Sequence, residues 1–259
     1  MATSAMPHIE RRDVVDGLGK GLRVIEAFDD DHAQLTTSEA AQRAGLTRTA
    51  ARRYLLSLVH FGYAATDGKQ FWLSPRVLRL GQSYLEAARL PRLVQPFIQR
   101  VSAQCGHTVN VSVLDEHEVI YIARSAPPRW LTIGYGVGVR VPAHVVTPGV
   151  VILSTFDDEA LEAWIATHDF VKFTAHTVTE RRRFRAEVLQ ARNLGYWQTD
   201  AQLDAGLRGM SVPLIDRKGR CRAALGMTAT MPAYKSGAHM IDTLLPLLQE
   251  TAQQMRPVL

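Results

Sequence analysis

The segment from Thr36 to Ser74 constrains what this chain can fold into more than any other part of it. Thr36-Thr37-Ser38-Glu39 fits a capping box, with Thr36 as N-cap and Glu39 three residues on, reaching back to the free amide. A short helix follows through Ala44 and stops at Gly45, where glycine can take the left-handed conformation that closes a helix. Leu46 packs the turn, and Thr47 caps a longer helix running to about Phe61. Ala51, Tyr54 or Leu55, and Leu58 form the buried side of that helix, while Arg48, Thr49, Arg52 and Arg53 fall opposite, near its N-terminus. Gly62 ends it. Two extended runs, Tyr63 to Thr66 and Lys69 to Ser74, are joined by Asp67-Gly68, a strong hairpin signal. A preceding helix from Gly17 to Asp29 carries Leu18, Leu22, Ile25 and Phe28 as an apolar stripe. Helix, helix, turn, helix, hairpin is the order of a winged helix-turn-helix.

That order gives the arginines a chemistry. An α-helix fits the major groove of DNA, and side chains at its N-terminal end reach base edges. Thr47, Arg48, Thr49, Arg52 and Arg53 hold that position, and Lys69 in the wing adds a phosphate or minor-groove contact. Taken alone, the same arginines are a solvated basic face. Charge distribution favours the DNA reading. The chain carries a formal net charge of +5, and from Ala40 to Arg92 nine basic residues stand against two acidic ones, which leaves the remainder slightly acidic.

At 259 residues, with 46% hydrophobic and 21% charged residues, the chain has the composition of a folded protein of one large domain or two ordinary ones. No apolar run approaches the ~20 residues of a membrane span, so no membrane partner is expected. Met1 to Val14 has no apolar stretch and is not a secretory signal; residues 1–16 are expected to be a loose tail and the protein to be cytoplasmic. Cys105 and Cys221 are expected to be free thiols.

Pro75 closes the winged unit, which is expected to span residues 17–76. Val77 to Arg89 reads as an amphipathic helix, with Leu78, Leu85 and Leu90 on one side. Pro91 separates it from a second helix, Leu93 to Gln104. The connector, 77–92, has no Gly/Ser-rich stretch, so the halves are expected to be mechanically coupled. From residue 93 to 259 the pattern changes. Thr108 to Leu114 and Val119 to Ser125 alternate around the turn Asp115-Glu116-His117-Glu118, and Leu131 to Tyr135 is a candidate third strand. Helices are expected over Pro148–Ser154, Asp157–His168 and Thr179–Asn193, then strands over Tyr196–Thr199, Gly209–Ile215 and Arg220–Thr230. A terminal helix covers Ser236–Met255. Hairpins with helices grouped around them make an antiparallel α+β domain.

Enzyme signatures are absent: no GxxxxGK[ST], no GxSxG, no HExxH, and histidines too scattered for a metal site, so no catalytic residue, cofactor or metal is expected. Gly134-Tyr135-Gly136-Val137-Gly138 superficially looks like a dinucleotide loop, but Pro142 stands where a helix should follow. Two rivals remain: an enzyme whose helix-turn-helix is a docking module, and an architectural DNA-binding protein without a ligand.

Thr36 to Tyr63 with its wing resembles the DNA-binding domain of the isocitrate lyase regulator (IclR) family. Val139-Arg140-Val141-Pro142-Ala143-His144 is similar to that family's G-x-R-L-P-A-H segment, and Gly195-Tyr196 with Asp200 and Asp204-Ala205-Gly206-Leu207 to its G-Y…E-x-G segment. Gly21-Leu22-Arg23-Val24-Ile25-Glu26-Ala27-Phe28 looks most like the branch regulating aromatic-acid catabolism. The resemblance implies a winged helix, a linker helix and a C-terminal antiparallel-sheet domain of the GAF or PAS kind that binds a small carboxylic-acid effector. It also implies a homodimer or homotetramer on double-stranded operator DNA. Mapped onto this chain, the effector pocket comprises His144, Thr147, Asp204, Thr228 and Thr230, with Arg129 and Tyr135 as neighbours. One departure is Thr147-Pro148-Gly149-Val150, where valine stands at a position often basic in the family. Each assignment has a plain alternative: strand threonines, a loop arginine, a core histidine. A regulator of another carboxylic-acid pathway is the nearest functional alternative.

Overall fold

The structure is a computed structural model that describes residues 9–127 and 135–259. Arg129, and the candidate strand except for Tyr135, lie outside the described residues. The chain divides into two units, one ending at Ala87 and the other beginning at Ala88.

In the first unit, α1 (Asp16–Glu26) turns a different face inward from the one its leucines suggest. Val24 and Ala27 are buried, whereas Leu18 and Leu22 are 66% and 43% exposed. Gly17 and Gly21 face Tyr54, where an added Cβ would make ordinary contact at 3.5 Å from the hydroxyl and 3.7 Å from the ring, and the leucine stripe is left outside. After β1 (Leu35–Thr36) come α2 (Thr37–Ala44) and α3 (Arg48–His60). Both sides of the expected capping box form at α2: Thr36 Oγ1 accepts from the Glu39 amide, and the Glu39 carboxylate accepts from the Thr36 amide at 2.7 Å. Gly45 adopts φ 64° at the C-cap, and Thr47 Oγ1 accepts from the Ala50 amide to begin α3.

The wing is β2 (Ala64–Thr66) and β3 (Gln70–Leu73), with sheet order β1-β3-β2. Its turn centres on Gly68-Lys69 rather than Asp67-Gly68. The Asp67 amide donates to Gln70 O, while the Asp67 carboxylate accepts from the Lys69 and Gln70 amides at 2.8 and 2.7 Å. Leu35 and Phe71, paired across β1 and β3, are each 1% exposed and join Val24, Ala40, Ala44 and Leu55 in the core. α4 (Leu78–Ala87) ends the unit.

The second unit opens with α5 (Arg89–Cys105), so the helix break falls at Ala88 and Pro91 lies inside the first turn. Proline is tolerated there because amides of the first turn have no intrahelical acceptor to lose. The strands are β4 (Thr108–Asp115), β5 (Glu118–Ser125) and β6 (Arg140–Pro142). The helices α6 (Thr147–Leu153), α7 (Asp158–Thr167) and α8 (Arg181–Leu194) follow. Then come β7 (Trp197–Asp200), β8 (Leu207–Ile215), β9 (Cys221–Thr230) and α9 (Gly237–Met255). The strands form one antiparallel sheet of six in the order β6-β5-β4-β9-β8-β7.

Strand alternation divides that sheet's faces. Val109, Val111, Met210, Val212, Leu225 and Met227 point to the face covered by α5 and α9, where Val94, Ile98, Met240 and Leu248 meet them. Each such side chain, fully removed from water, contributes roughly 1.5–3 kcal/mol. On the other face, α6 lays Val151 and Ile152 against Ala224, and α7 and α8 close a second core around Trp164, Phe184 and Tyr121. Gly149 is what lets α6 start here, since a Cβ would lie 2.1 Å from the Ala143 carbonyl oxygen.

Candidate functional site

The first candidate surface is the outer face of α3. Ala51 and Leu55 are fully buried, and the helical period leaves Arg48, Thr49, Arg52 and Arg53 exposed on the opposite side. None of the three arginines takes part in an ion pair among the described residues. Arg43 and Arg23, by contrast, are used internally: Arg43 donates to Ala27 O at 2.6 Å and pairs with Asp29, and Arg23 donates to Ala44 O at 3.2 Å. Thr47 is exposed, with its hydroxyl engaged in capping, and Lys69 is exposed at the tip of the wing.

The second is a cleft on the face of the six-stranded sheet that α6 covers. Its floor is set by register. Ser211, Gly226 and Asn110 lie side by side across β8, β9 and β4, and Gly209, Thr228 and Thr108 form the adjacent row. Val146, Thr147 and Pro148 cover it where the chain enters α6, Tyr121 and Tyr135 stand at one side, and Gln202, Leu203 and Asp204 at another. The loop bearing Gln202 is pinned: Thr177 Oγ1 donates to Gln202 O at 2.7 Å, and the Gln202 side-chain oxygen accepts from the Val178 amide at 3.0 Å.

Thr147 and Ser211, 4% and 0% exposed, share a hydroxyl–hydroxyl hydrogen bond of 2.7 Å. Asn110 is 2% exposed, and its Oδ1 has no hydrogen-bond partner among the described residues. Burial and the neighbouring Tyr135 push the Tyr121 hydroxyl well above the usual tyrosine range. Burial and the Asp204 charge raise Tyr135. Both rings therefore present neutral hydroxyls at physiological pH. Arg208 borders the cleft, but alternation sends its side chain to the opposite face. There it grips both oxygens of Asp200 at 2.6 and 2.7 Å and donates to Tyr234 O.

Four of the residues mapped to an effector pocket, Tyr135, Thr147, Asp204 and Thr228, line this cleft. Asp204 is exposed there and accepts from the Gly206 amide at 2.8 Å. Thr230 is not among the lining residues; it pairs with Leu207 at the end of β9. His144 lies apart from the cleft, 2% exposed in a cluster with His168, Phe170 and Phe184. Its Nε2 donates to Val171 O at 3.0 Å, so its Nδ1 accepts from His168 Nε2 at 2.7 Å. Asn110, Ser211, Tyr121 and Gln202 line the cleft without having been singled out by sequence. One signal was available for the first: Thr108, Asn110 and Ser112 alternate with valines in a strand that the apolar flanks mark as internal.

A winged helix with unpaired arginines on its third helix, followed by an α+β unit with a polar-floored cleft, defines a ligand-responsive transcriptional regulator. Comparison with known proteins makes the class definite: residues 17–68 match the IclR helix-turn-helix domain and residues 82–256 the bacterial transcriptional regulator IclR C-terminal domain, and this chain belongs to the IclR family. It is 38% identical to the p-hydroxybenzoate hydroxylase transcriptional activator of Acinetobacter baylyi, over 97% of this chain and 96% of the relative. A transcriptional regulator from Rhodococcus sp. RHA1 superposes with a TM-score of 0.79 at 36% identity, covering 94% of this chain and 97% of that one. The inducer-binding domain of Acinetobacter PobR, a double mutant in complex with 3-hydroxybenzoic acid, superposes with a TM-score of 0.63 at 31% identity, covering 66% of this chain and all of that one. The relatives are named as regulators rather than enzymes, and the chain is a regulator too. No helix among the described residues is long and apolar enough to cross a membrane.

Proposed function

We propose that this regulator reads operator DNA with Arg48, Thr49, Arg52 and Arg53 of α3, supported by Thr47 and by Lys69 in the wing, and that the cleft on the second unit binds an aromatic carboxylic acid. The observation that supports the DNA contacts is the contrast between arginines consumed inside the unit and arginines left free on the outer face of α3. For the ligand, the support is a half-open cleft with hydroxyls and an amide on its floor, in a chain 31% identical to a domain crystallised with 3-hydroxybenzoic acid. Tyr135, Thr147, Asp204 and Thr228 are its proposed contacts, with Arg129 as the cation that neutralises the acid; His144 and Thr230 lie outside the cleft and are not among them.

We further take residues 17–76 as the DNA-binding domain, 77–92 as the connector and 93–259 as the effector domain. The exposed apolar residues Leu18 and Leu22 of α1, and Leu78, Leu80 and Tyr84 of α4, support a homodimer. Such a dimer presents two recognition helices to a palindromic site. The test is a thermal-shift titration of purified protein with 4-hydroxybenzoate, 3-hydroxybenzoate, protocatechuate and β-ketoadipate. A ligand of the folded state raises the melting temperature with concentration. A flat response to all four removes the aromatic-acid assignment.

A further inference from the structure

Leu56 breaks the pattern of α3. The other exposed residues of the helix, Arg48, Thr49, Arg52, Arg53, Ser57 and His60, are all polar, whereas Leu56 is an apolar side chain left 43% exposed among them. Leu55 beside it already fills the inward position, at 0% exposure. At about 100° of turn per residue, Leu56 points roughly 40° from Arg52 and roughly 60° from Arg53, between the two and one turn further along. Thr49, two turns earlier, points within about 20° of it. Leu56 therefore stands at the centre of the face that the arginines define, not at its edge. A merely solvated basic face gains nothing from an apolar residue there, and folded chains break their own polar pattern mostly where function requires it.

Whatever covers Leu56 has to suit the exposed guanidinium groups on either side of it, which enter no ion pair among the described residues. A second copy of the chain, meeting this face across a two-fold axis, would set those cations against their own equivalents. Double-stranded DNA carries its anions along the rims of the major groove and, inside it, one apolar group, the 5-methyl of thymine. A leucine framed by arginines is complementary to that arrangement. We propose that Leu56 is a specificity residue of α3 and packs on a thymine methyl in the operator, while Arg52 and Arg53 reach guanine or phosphate beside it. One helical turn advances about 5.4 Å and one base step about 3.4 Å, so this thymine lies within about two base pairs of the position met by Arg52 or Arg53. The inference rests on the reading of α3 as the DNA-reading helix and adds to it the chemical identity of a base.

The experiment is fluorescence anisotropy of the full-length protein on an operator that it selects from a random DNA pool, with each thymine replaced singly by uracil. That replacement removes the 5-methyl group and leaves every hydrogen-bonding group in place. In the unmodified protein one such replacement is expected to weaken binding about three- to fivefold, the worth of covering one methyl group. In Leu56→Ala the same replacement is expected to cost less than about 1.5-fold, so that the two losses do not add. Leu56→Met, which keeps an apolar side chain, is expected to retain most of the uracil penalty, and unchanged melting temperatures check that both variants are folded. Indifference of the unmodified protein to every uracil, or a penalty just as large in Leu56→Ala, overturns the contact. The DNA-reading role of α3 survives that result if Arg52→Ala still weakens binding to the same operator. Should Leu56→Ala change the sedimenting mass and leave the uracil penalty untouched, the face belongs to a contact between copies and the thymine contact falls. If the pool yields no preferred sequence, the reading of α3 and the contact fall together.

Discussion

Arg43 and Arg52 belong to one helix-turn-helix, yet their guanidinium groups face different surroundings. Arg43 is tied to Ala27 O and Asp29, whereas Arg52 is exposed and enters no ion pair among the described residues. Arg52→Ala is therefore expected to leave the fold intact and to weaken binding to an operator selected by the protein from a random DNA pool. The loss should be about 1–3 kcal/mol if Arg52 pairs with a base edge. A shallower dependence of affinity on salt follows if it pairs with phosphate. The melting shift caused by effector should not change; its disappearance would show that the two roles are not separable. The histidines give a residue-scale prediction of another kind. His144 and His168 are hydrogen-bonded to each other inside an aromatic cluster, 2% and 5% exposed. Burial lowers His144, and burial with the nearby His144, His117 and Arg181 lowers His168 to about 3. A folded-state value below the unfolded one means that stability is full above the ordinary histidine range and is lost as pH falls below about 6.5. By pH 5 the loss from His168 is expected to be about 2 kcal/mol. Carboxylates lowered by hydrogen bonds, such as Glu39 and Asp67, contribute their own loss only at lower pH. Urea midpoints at pH 7.5 and 5.0 measure the effect, and His168→Gln should flatten the difference. A midpoint that does not move between those pH values contradicts the assignment.

At the scale of elements, α2 is short and owes its start to two reciprocal hydrogen bonds. Thr36→Ala removes the acceptor for the Glu39 amide and is expected to destabilise the first turn by about 1 kcal/mol. Hydrogen exchange should quicken selectively in the amides of α2, while β8 and β9 stay unchanged. Equal quickening in both units would mean that the cap stabilises more than its own helix. This cap, the glycine at 45 and the Thr47 cap were legible in the sequence because each is a short-range contract between residues a few positions apart. The hairpin of β4 and β5 was legible because apolar and polar residues alternate on both sides of its polar turn. Other elements left no such trace. Two-residue β1 and three-residue β6 are too short to show a period, and exist because β3 and β5 offer them partners. The inward face of α1 was hidden because two of its contacts are glycines, which carry no hydropathy signal. Pro91 misled because a proline that breaks a helix interior is harmless in a first turn. The cleft was half legible: Thr147 and Thr228 follow from the family pattern, but Asn110 and Ser211 meet only through strand register across β9, which no local pattern encodes.

For the whole molecule, the decisive matter is how a small acid in the second unit changes what the first unit does on DNA. The chain passes from one to the other at Ala87-Ala88, between the end of α4 and the start of α5. That passage contains no run of glycine or serine, and Ala88 is a single extended residue between two helices. A signal carried along the chain has to cross there, because effector binding alters DNA affinity only if the bound state favours one arrangement of the DNA-binding units over another. A flexible insert at this point should leave each unit's own binding intact while erasing the influence of one on the other. Insertion of Gly-Ser-Gly-Ser between Ala88 and Arg89 is thus expected to preserve 4-hydroxybenzoate affinity and to preserve operator affinity in the absence of ligand. The ratio of operator affinities with and without 4-hydroxybenzoate, typically about 5–150-fold in coupled systems, is expected to fall toward one. Fluorescence anisotropy with the selected operator reads both quantities on the same protein. If the insert leaves the ratio untouched, coupling runs through contacts between subunits or units rather than along the chain. Leu18→Glu and Leu22→Glu on α1 then become the variants whose effect on that ratio has to be measured.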